Sequence, residues 1–185
     1  CRNTGYNPYT LEGKKTASFE IWEQLGSKLD VEQNKLCVFV SVGDGNIISG
    51  LHKGFKDLFE LGWIEQMPRL FGIQSERSAA VANAFFAKTE TITPVQATTL
   101  ADSISVDLPR DGVRAVRAAR ETDGAYMTVS DEEIIQGIGE LGIHGIFTEP
   151  AGSTAYMGLK RALQNGIIKQ DDPVVVINTG NGLKD

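Results

Sequence analysis

The chain has 185 residues and a formal net charge of −6, a size that suits one soluble domain with a hydrophobic core. That acidic balance, with no basic run and no interleaved aromatics, argues against nucleic acid or an anionic membrane surface as partner. No apolar run reaches membrane-spanning length and no signal-peptide pattern opens the chain, so a soluble, cytoplasmic protein is expected.

The chain opens on "CRNTG" and stops on "GLKD" directly after a glycine-rich turn, which points to a portion of a larger protein. Cys1 and Cys37 are too few and too far apart for a disulfide framework or a metal clip, and Cys37 reads as a small buried hydrophobe. "KTASFEIWEQLG" sets Ile21, Trp22 and Leu25 on one face and ends at Gly26, which predicts a helix with a glycine stop. "LCVFVSV" (36 to 42) is an almost uninterrupted apolar run, as in a central parallel strand. The run passes through "GDGN" into a predicted helix from about Ile47 to Leu61. A second strand is expected at "RLFGIQ" (69 to 74). Residues 88 to 112 have weak periodicity and carry Pro94 and Pro109, so they form a long connection of the kind that is often functional. "RDGVRAVRAARE" predicts a helix with a solvated basic face.

"GAYMTV" (124 to 129) predicts a third strand, and Ser130 followed by "DEE" is an N-cap with Glu133 at the capping-box position. Ile134, Ile135, Ile138 and Leu141 then mark the apolar face of a helix. Further strands are expected at "GIFTE" (145 to 149) and "PVVVIN" (173 to 178), with Ser153 or Thr154 capping a helix that runs to Leu163 between them. This alternation predicts an α/β fold: a single, doubly wound, mostly parallel sheet with helices on both faces. In such sheets ligands lie beyond the carboxyl ends of the strands, which directs attention to "GDGN", "QSE", "TEPAGS" and "NTGNG".

Gly43, Asp44, Gly45 and Asn46 form either a phosphate cradle at a helix N-terminus or simply a tight strand-to-helix turn. A nucleotide P-loop needs a Gly-Lys-Ser/Thr that is absent here, and a dinucleotide fingerprint needs a third glycine where Ile48 stands, although Glu76 could still meet a ribose. Thr179 either offers its hydroxyl to a flat heterocycle or caps the following turn. Glu149 reads as an orienting carboxylate or a strand end, and Ala151, Gly152 and Ser153 are small enough for a ligand to lie close. His52 and His144 have no acid, serine or cysteine at a meaningful spacing and read as structural; no metal cluster or nucleophile elbow is present.

Taken in order, "NPYTLEGKKTASFEIWEQL", "VSVGDGNIISGLHKGFKDL", "EPAGSTAYMGLK" and "NTGNGLKD" resemble the carboxyl-terminal part of the threonine synthase family, fold-type-II pyridoxal-phosphate enzymes, over essentially the whole chain. The resemblance implies pyridoxal 5'-phosphate as cofactor, its phosphate on Gly43, Asp44, Gly45, Asn46 and Ile47 and its pyridine nitrogen against Thr179. It implies that residues 1–30 return from a smaller domain, with Asn7 turned toward the cleft, and that Thr99 and Ser103 face the site from the long connection. Glu149 and Ser153 complete the set near the substrate. The implied reaction converts O-phosphohomoserine and water into threonine and phosphate, in a homodimeric enzyme. The family's Schiff-base lysine lies in an upstream "SxKD"-like motif that this chain lacks; Lys53, Lys56 and Lys184 are wrongly placed to replace it, so the segment alone is expected to be inactive. Relatives often carry arginine where this chain has Thr10, and some have a phosphate loop one residue longer. Rival readings are cysteate synthase, threonine dehydratase, or a non-catalytic binding module of the same fold.

Overall fold

The computed structural model describes residues 5–26 and 34–184, with the side chain of Lys184 excluded; Cys1 and part of the expected 1–30 returning segment lie outside the described residues. Helices α1 (Pro8–Lys14) and α2 (Thr16–Leu25) precede strand β1 (Cys37–Ser41), after which come α3 (Asn46–Glu60), β2 (Arg69–Ser75), α4 (Ala80–Phe86) and α5 (Gly112–Glu121). Strand β3 (Ala125–Val129), α6 (Asp131–Ile143), α7 (Pro150–Gln164) and β4 (Val174–Ile177) complete the chain.

The four strands are all parallel and lie in the order β3-β2-β1-β4. The chain therefore winds outward from β1 through β2 to β3, then returns to add β4 on the other side of β1. Such a reversal opens a crevice beyond the carboxyl ends of the two strands that flank it, here β1 and β4.

Strand alternation sorts the core into two layers. Val38, Val40, Leu70 and Tyr126 pack with residues of α3, α4 and α5 on one face. Cys37, Phe39, Phe71, Ile73, Met127 and Val129 pack with α7 on the other. Register places Phe39 beside Phe71, and their rings stack at 4.6 Å with an interplanar angle of 7°. Cys37 is fully buried, and that burial pushes its thiol pKa up, in keeping with an inert hydrophobe.

Local signals explain most boundaries. Gly26 ends α2 in a left-handed conformation (φ 51), and Trp22 on that helix stacks on Trp63 at 4.8 Å. Ser130 and Glu133 form the expected capping box, with Oγ accepting the Glu133 N–H at 3.2 Å and the Glu133 carboxylate accepting the Ser130 N–H at 2.7 Å. Helix α1 was not anticipated, although Asn7 caps it and Pro8 stands at its first position.

Four expectations need correction. "GIFTE" is not a strand: Ile146 and Phe147 are exposed, Gly145 has φ 78, and only Thr148 makes a single antiparallel bridge, to Asn181. Helix α7 begins at Pro150 with Glu149 as its N-cap residue, so Ser153 and Thr154 lie inside the helix and cap nothing. Ile135 is exposed instead of sharing the apolar face with Ile134. The basic face of α5 is not simply solvated, because Arg120 donates to the carbonyls of Ala84, Phe85 and Thr89 at the end of α4, and Arg117 makes two bonds to Glu90.

Helices α6 and α7 are fastened by a polar cluster in which Lys160, Gln136 and Tyr156 all donate to the Glu140 carboxylate. The Lys160 ammonium, followed by Gln136 and Tyr156, lowers the Glu140 pKa from 4.5 to about 2. A carboxyl with a depressed folded-state pKa stabilises the fold above its unfolded value and loses that contribution as pH falls through the folded value. Glu140→Gln is thus expected to cost about 1 kcal/mol near pH 7, since the groups are partly solvated, with the cost shrinking as pH falls toward 2. Urea midpoints of both proteins measured between pH 7 and pH 2 check this, the two curves converging on the acid side.

Candidate functional site

A cavity of about 300 Å3 opens at the β1/β4 reversal. Its wall includes Ser41 to Ile48, Ser103, Ile104, Glu149, Ala151, Thr179 and Lys14. The bend after β1 and the bend after β4 therefore face one space. Adjacent parallel strands fix this, since Val40 pairs with Ile177 and the chains leave the sheet side by side.

The first bend is built to expose its backbone. Gly45 has φ 91, a conformation that L side chains resist, and a Cβ there would lie 2.8 Å from the Ala115 Cβ. A Cβ on Gly43 would lie 2.9 Å from the Ile104 Cα. Helix α3 starts at once, so its first N–H groups have no acceptor one turn back. Among the described residues, the N–H groups of Gly43, Gly45, Asn46 and Ile47 donate to no protein acceptor. Helix α7 also begins at this wall, which brings a second helix N-terminus and its partial positive charge to the cavity.

The long connection returns to brace this bend. Asp111 N–H donates to the Asp44 carbonyl at 2.9 Å, and Arg110 N–H donates to Asp44 Oδ1 at 3.0 Å. One carboxylate oxygen of the loop's acidic residue is thereby engaged by backbone. Asn46, 4% exposed, donates its amide to Asp111 Oδ2 at 3.4 Å, while its Oδ1 has no partner. A buried acceptor left in this way favours a ligand that brings a donor.

On the opposite wall, Glu149 is 3% exposed; its N–H donates to the Gly180 carbonyl at 3.0 Å and its Oε2 accepts from the Ser103 hydroxyl at 3.2 Å. A Cβ on Gly180 would overlap the Glu149 carboxyl carbon, so the turn carrying Thr179 is seated on Glu149. Thr148 adds a hydroxyl bond to Asn178 Oδ1 at 2.7 Å.

Of the residues singled out in the sequence, Gly43, Asp44, Gly45, Asn46, Ile47, Thr179, Ser103 and Glu149 line this cavity. Three others do not. Thr99 turns away to donate to Asp131 Oδ1 at 2.5 Å. Burial acts to raise the Asp131 pKa, but bonds from Thr99, the Leu100 N–H and Ser75, together with Arg77, bring the balance below the ordinary value. Ser153 is fully buried and donates to the Ile134 carbonyl, which joins α7 to α6. Asn7 caps α1, and from that segment Lys14 reaches the cavity instead. Glu76 pairs with Arg161 at 3.5 Å and is absent from the cavity wall, which removes the ribose partner of a nicotinamide reading. His52 pairs with Glu121 at 3.4 Å, Lys53 with Glu12 of α1 and Asp57 of α3, and Lys56 with Glu60 of α3. Burial lowers the His52 pKa.

Ser41 and Ile104 escaped the sequence reading, and Lys14 was reached only as part of the "EGKKT" turn expected near the cleft. Ser41 ends β1 and accepts the Ala155 N–H at 3.0 Å, a contact across 114 positions that no local pattern carries. For Lys14 the available signal was the Gly50 and Gly54 pair on α3, one turn apart, which marks a surface that another backbone approaches closely.

Comparison with known proteins is consistent across the chain. A family model of pyridoxal-phosphate dependent enzymes matches residues 1–180. The threonine synthase of Methanocaldococcus jannaschii is 37% identical over 181 residues, covering 97% of this chain and 44% of that protein. That of Methanosarcina acetivorans is 36% identical over the same shares of the two chains. Among solved structures, the processed form of threonine deaminase isoform 2 from Solanum lycopersicum has a TM-score of 0.73 at 21% identity, covering 92% of this chain and 45% of that one. Threonine synthase from Escherichia coli has a TM-score of 0.70 at 21% identity, covering 94% and 38%. The chain spans less than half the length of these proteins. With residues 1–180 matched and the parallel α/β fold shared, the chain belongs to the pyridoxal-phosphate dependent enzymes.

Proposed function

We propose that this chain is the larger part of the cofactor-holding domain of an enzyme that converts O-phosphohomoserine and water into threonine and phosphate. The observation that carries the reading is the meeting of the glycine bend and Thr179 at one cavity, in a chain more than a third identical to curated threonine synthases over 97% of its length. Pyridoxal phosphate, when bound, supplies an electron sink that stabilises negative charge on carbons of an amino-acid substrate.

The residues present fit that group. Backbone N–H groups of Gly43, Gly45, Asn46 and Ile47, with that of Asp44, would hold its phosphate at the start of α3. The Arg110 N–H holds one Asp44 carboxylate oxygen, which fixes the side chain of the bend. Thr179 would offer its hydroxyl to the ring nitrogen. A neutral hydroxyl there holds the nitrogen protonated less strongly than a carboxylate would, which favours elimination and replacement at the side chain over transamination. The Ser103 hydroxyl stands between two carboxylate acceptors, Asp102 Oδ1 at 3.1 Å and Glu149 Oε2 at 3.2 Å, at the cavity wall. On this reading the lysine that carries the cofactor lies outside these 185 residues, in which no SxKD-like motif occurs.

Assay of the enzyme extended to include that lysine, with O-phosphohomoserine, O-phosphoserine and threonine offered separately, tests the reading. Threonine and phosphate should appear from O-phosphohomoserine alone at an efficient rate. Efficient deamination of threonine would instead assign a dehydratase, and replacement of phosphate on O-phosphoserine a cysteate-synthase-like enzyme. The 185-residue segment by itself should turn over none of them.

A further inference from the structure

Lys14 is the last residue of α1 and lines the cavity, yet it makes no ion pair among the described residues. Lys14 is exposed, and its neighbours are paired elsewhere. Lys15, next in the chain, binds Glu12 and Asp57, each at 2.8 Å, and Lys53 binds Glu12 at 3.0 Å. The nearby carboxylates of Glu12 and Asp57 are thus engaged by other lysines, and Lys14 is left toward the cavity.

Its position is also fixed by packing. A Cβ on Gly50 would lie 2.5 Å from the Lys14 Cβ, and one on Gly54 would lie 2.5 Å from the Lys15 carbonyl oxygen. Two turns of α3 are therefore bare where the α1–α2 junction crosses them, and the salt bridges of Lys15 secure the crossing. The junction sets the Lys14 Cα close over α3, one turn from the helix start that carries the glycine bend.

The electrostatics of the wall supply the reason. Its acidic residues are Asp44 and Glu149, and Lys14 is the basic residue among the described lining residues. The unpaired N–H groups of the bend suffice for one phosphate. A second dianion entering the same cavity would meet two carboxylates and need a cation.

We propose that Lys14 receives a phosphomonoester dianion in this cavity, that of the substrate in preference to that of the cofactor. This rests on the reading above that the cavity takes both pyridoxal phosphate and a phosphorylated amino acid. Lys14 is then a specificity residue: an ammonium on a flexible stem binds the phosphate as a point charge, and loss of such a charge-assisted contact weakens binding roughly ten- to hundredfold.

The test uses the lysine-containing holoenzyme and its Lys14→Gln and Lys14→Arg variants, with inorganic phosphate as the probe in calorimetric titration. Lys14→Gln should weaken phosphate binding at least about tenfold and raise KM for O-phosphohomoserine more than it lowers kcat, while Lys14→Arg restores both. Pyridoxal phosphate affinity, followed by absorbance in the same variants, separates the two sources of dianion. A fall in cofactor affinity with phosphate binding unmoved would place the cofactor's own phosphate at Lys14 and overturn the substrate assignment. Unchanged affinity for both would overturn the proposal altogether. Lys14-dependent phosphate binding in an enzyme inert toward O-phosphohomoserine would keep the anion site and dismiss the proposed reaction.

Discussion

Gly45→Ala should strip the lysine-containing enzyme of tight pyridoxal phosphate binding, lowering affinity at least about a hundredfold while the fold survives. Two effects combine at this position. The backbone at φ 91 costs an L residue about 1–2 kcal/mol, and the new methyl would press on the Ala115 Cβ at 2.8 Å and the Asp111 carbonyl at 3.0 Å. Relief requires the bend to move away from α5, which breaks the Asp111 to Asp44 bond and rotates the N–H groups that converge on the cavity. Global stability should fall by about 2–4 kcal/mol, since neither contact can yield without shifting backbone. Cofactor titration by absorbance, with urea unfolding of the same preparation, reports the two effects separately. Affinity close to the unaltered protein's would show that the bend does not hold the phosphate.

The largest effect on stability alone is expected at Phe39. This side chain is fully buried in the central strand, stacked on Phe71 and covered by α7. Phe39→Ala removes a ring from a packed layer with strands on both sides, so the surroundings cannot collapse into the space. The expected loss is about 3–5 kcal/mol, read from the urea midpoint at constant slope. Phe39→Leu keeps most of the volume and should lose less than half as much. A loss below about 1 kcal/mol for the alanine variant would mean that the layer between sheet and α7 is loosely filled.

What the amino-acid order made legible followed from local physics. The uninterrupted apolar run "CVFV" marks a strand covered on both faces, whereas "VVVI", expected to be central in the same way, is the half-buried edge strand β4; the glycines after β1 mark a bend with exposed N–H groups. "GIFTE" misled because an apolar run records burial or contact and not pairing; Gly145 turns the backbone there, and pairing is limited to one bridge at Thr148 and Asn181, closed by the Gly182 to Phe147 and Glu149 to Gly180 bonds. Thr99 and Ser153 misled for a related reason. A hydroxyl's sequence position does not say which of several acceptors it will find, and both were claimed by nearer ones, Asp131 and the Ile134 carbonyl. The "EGKKT" turn was expected near the cleft, but which of its two lysines lines the cavity is decided only by the partners of Lys15.

Strand order has a kinetic consequence. β1 and β4 are neighbours although Cys37 and Val174 stand more than a hundred positions apart in the chain. Closing so long a loop is entropically slow, so the crevice is among the last features to form as the polypeptide leaves the ribosome. The vitamin-derived coenzyme then has nothing complete to grip until nearly all of this segment has been synthesised, and it locks a finished scaffold instead of guiding its assembly.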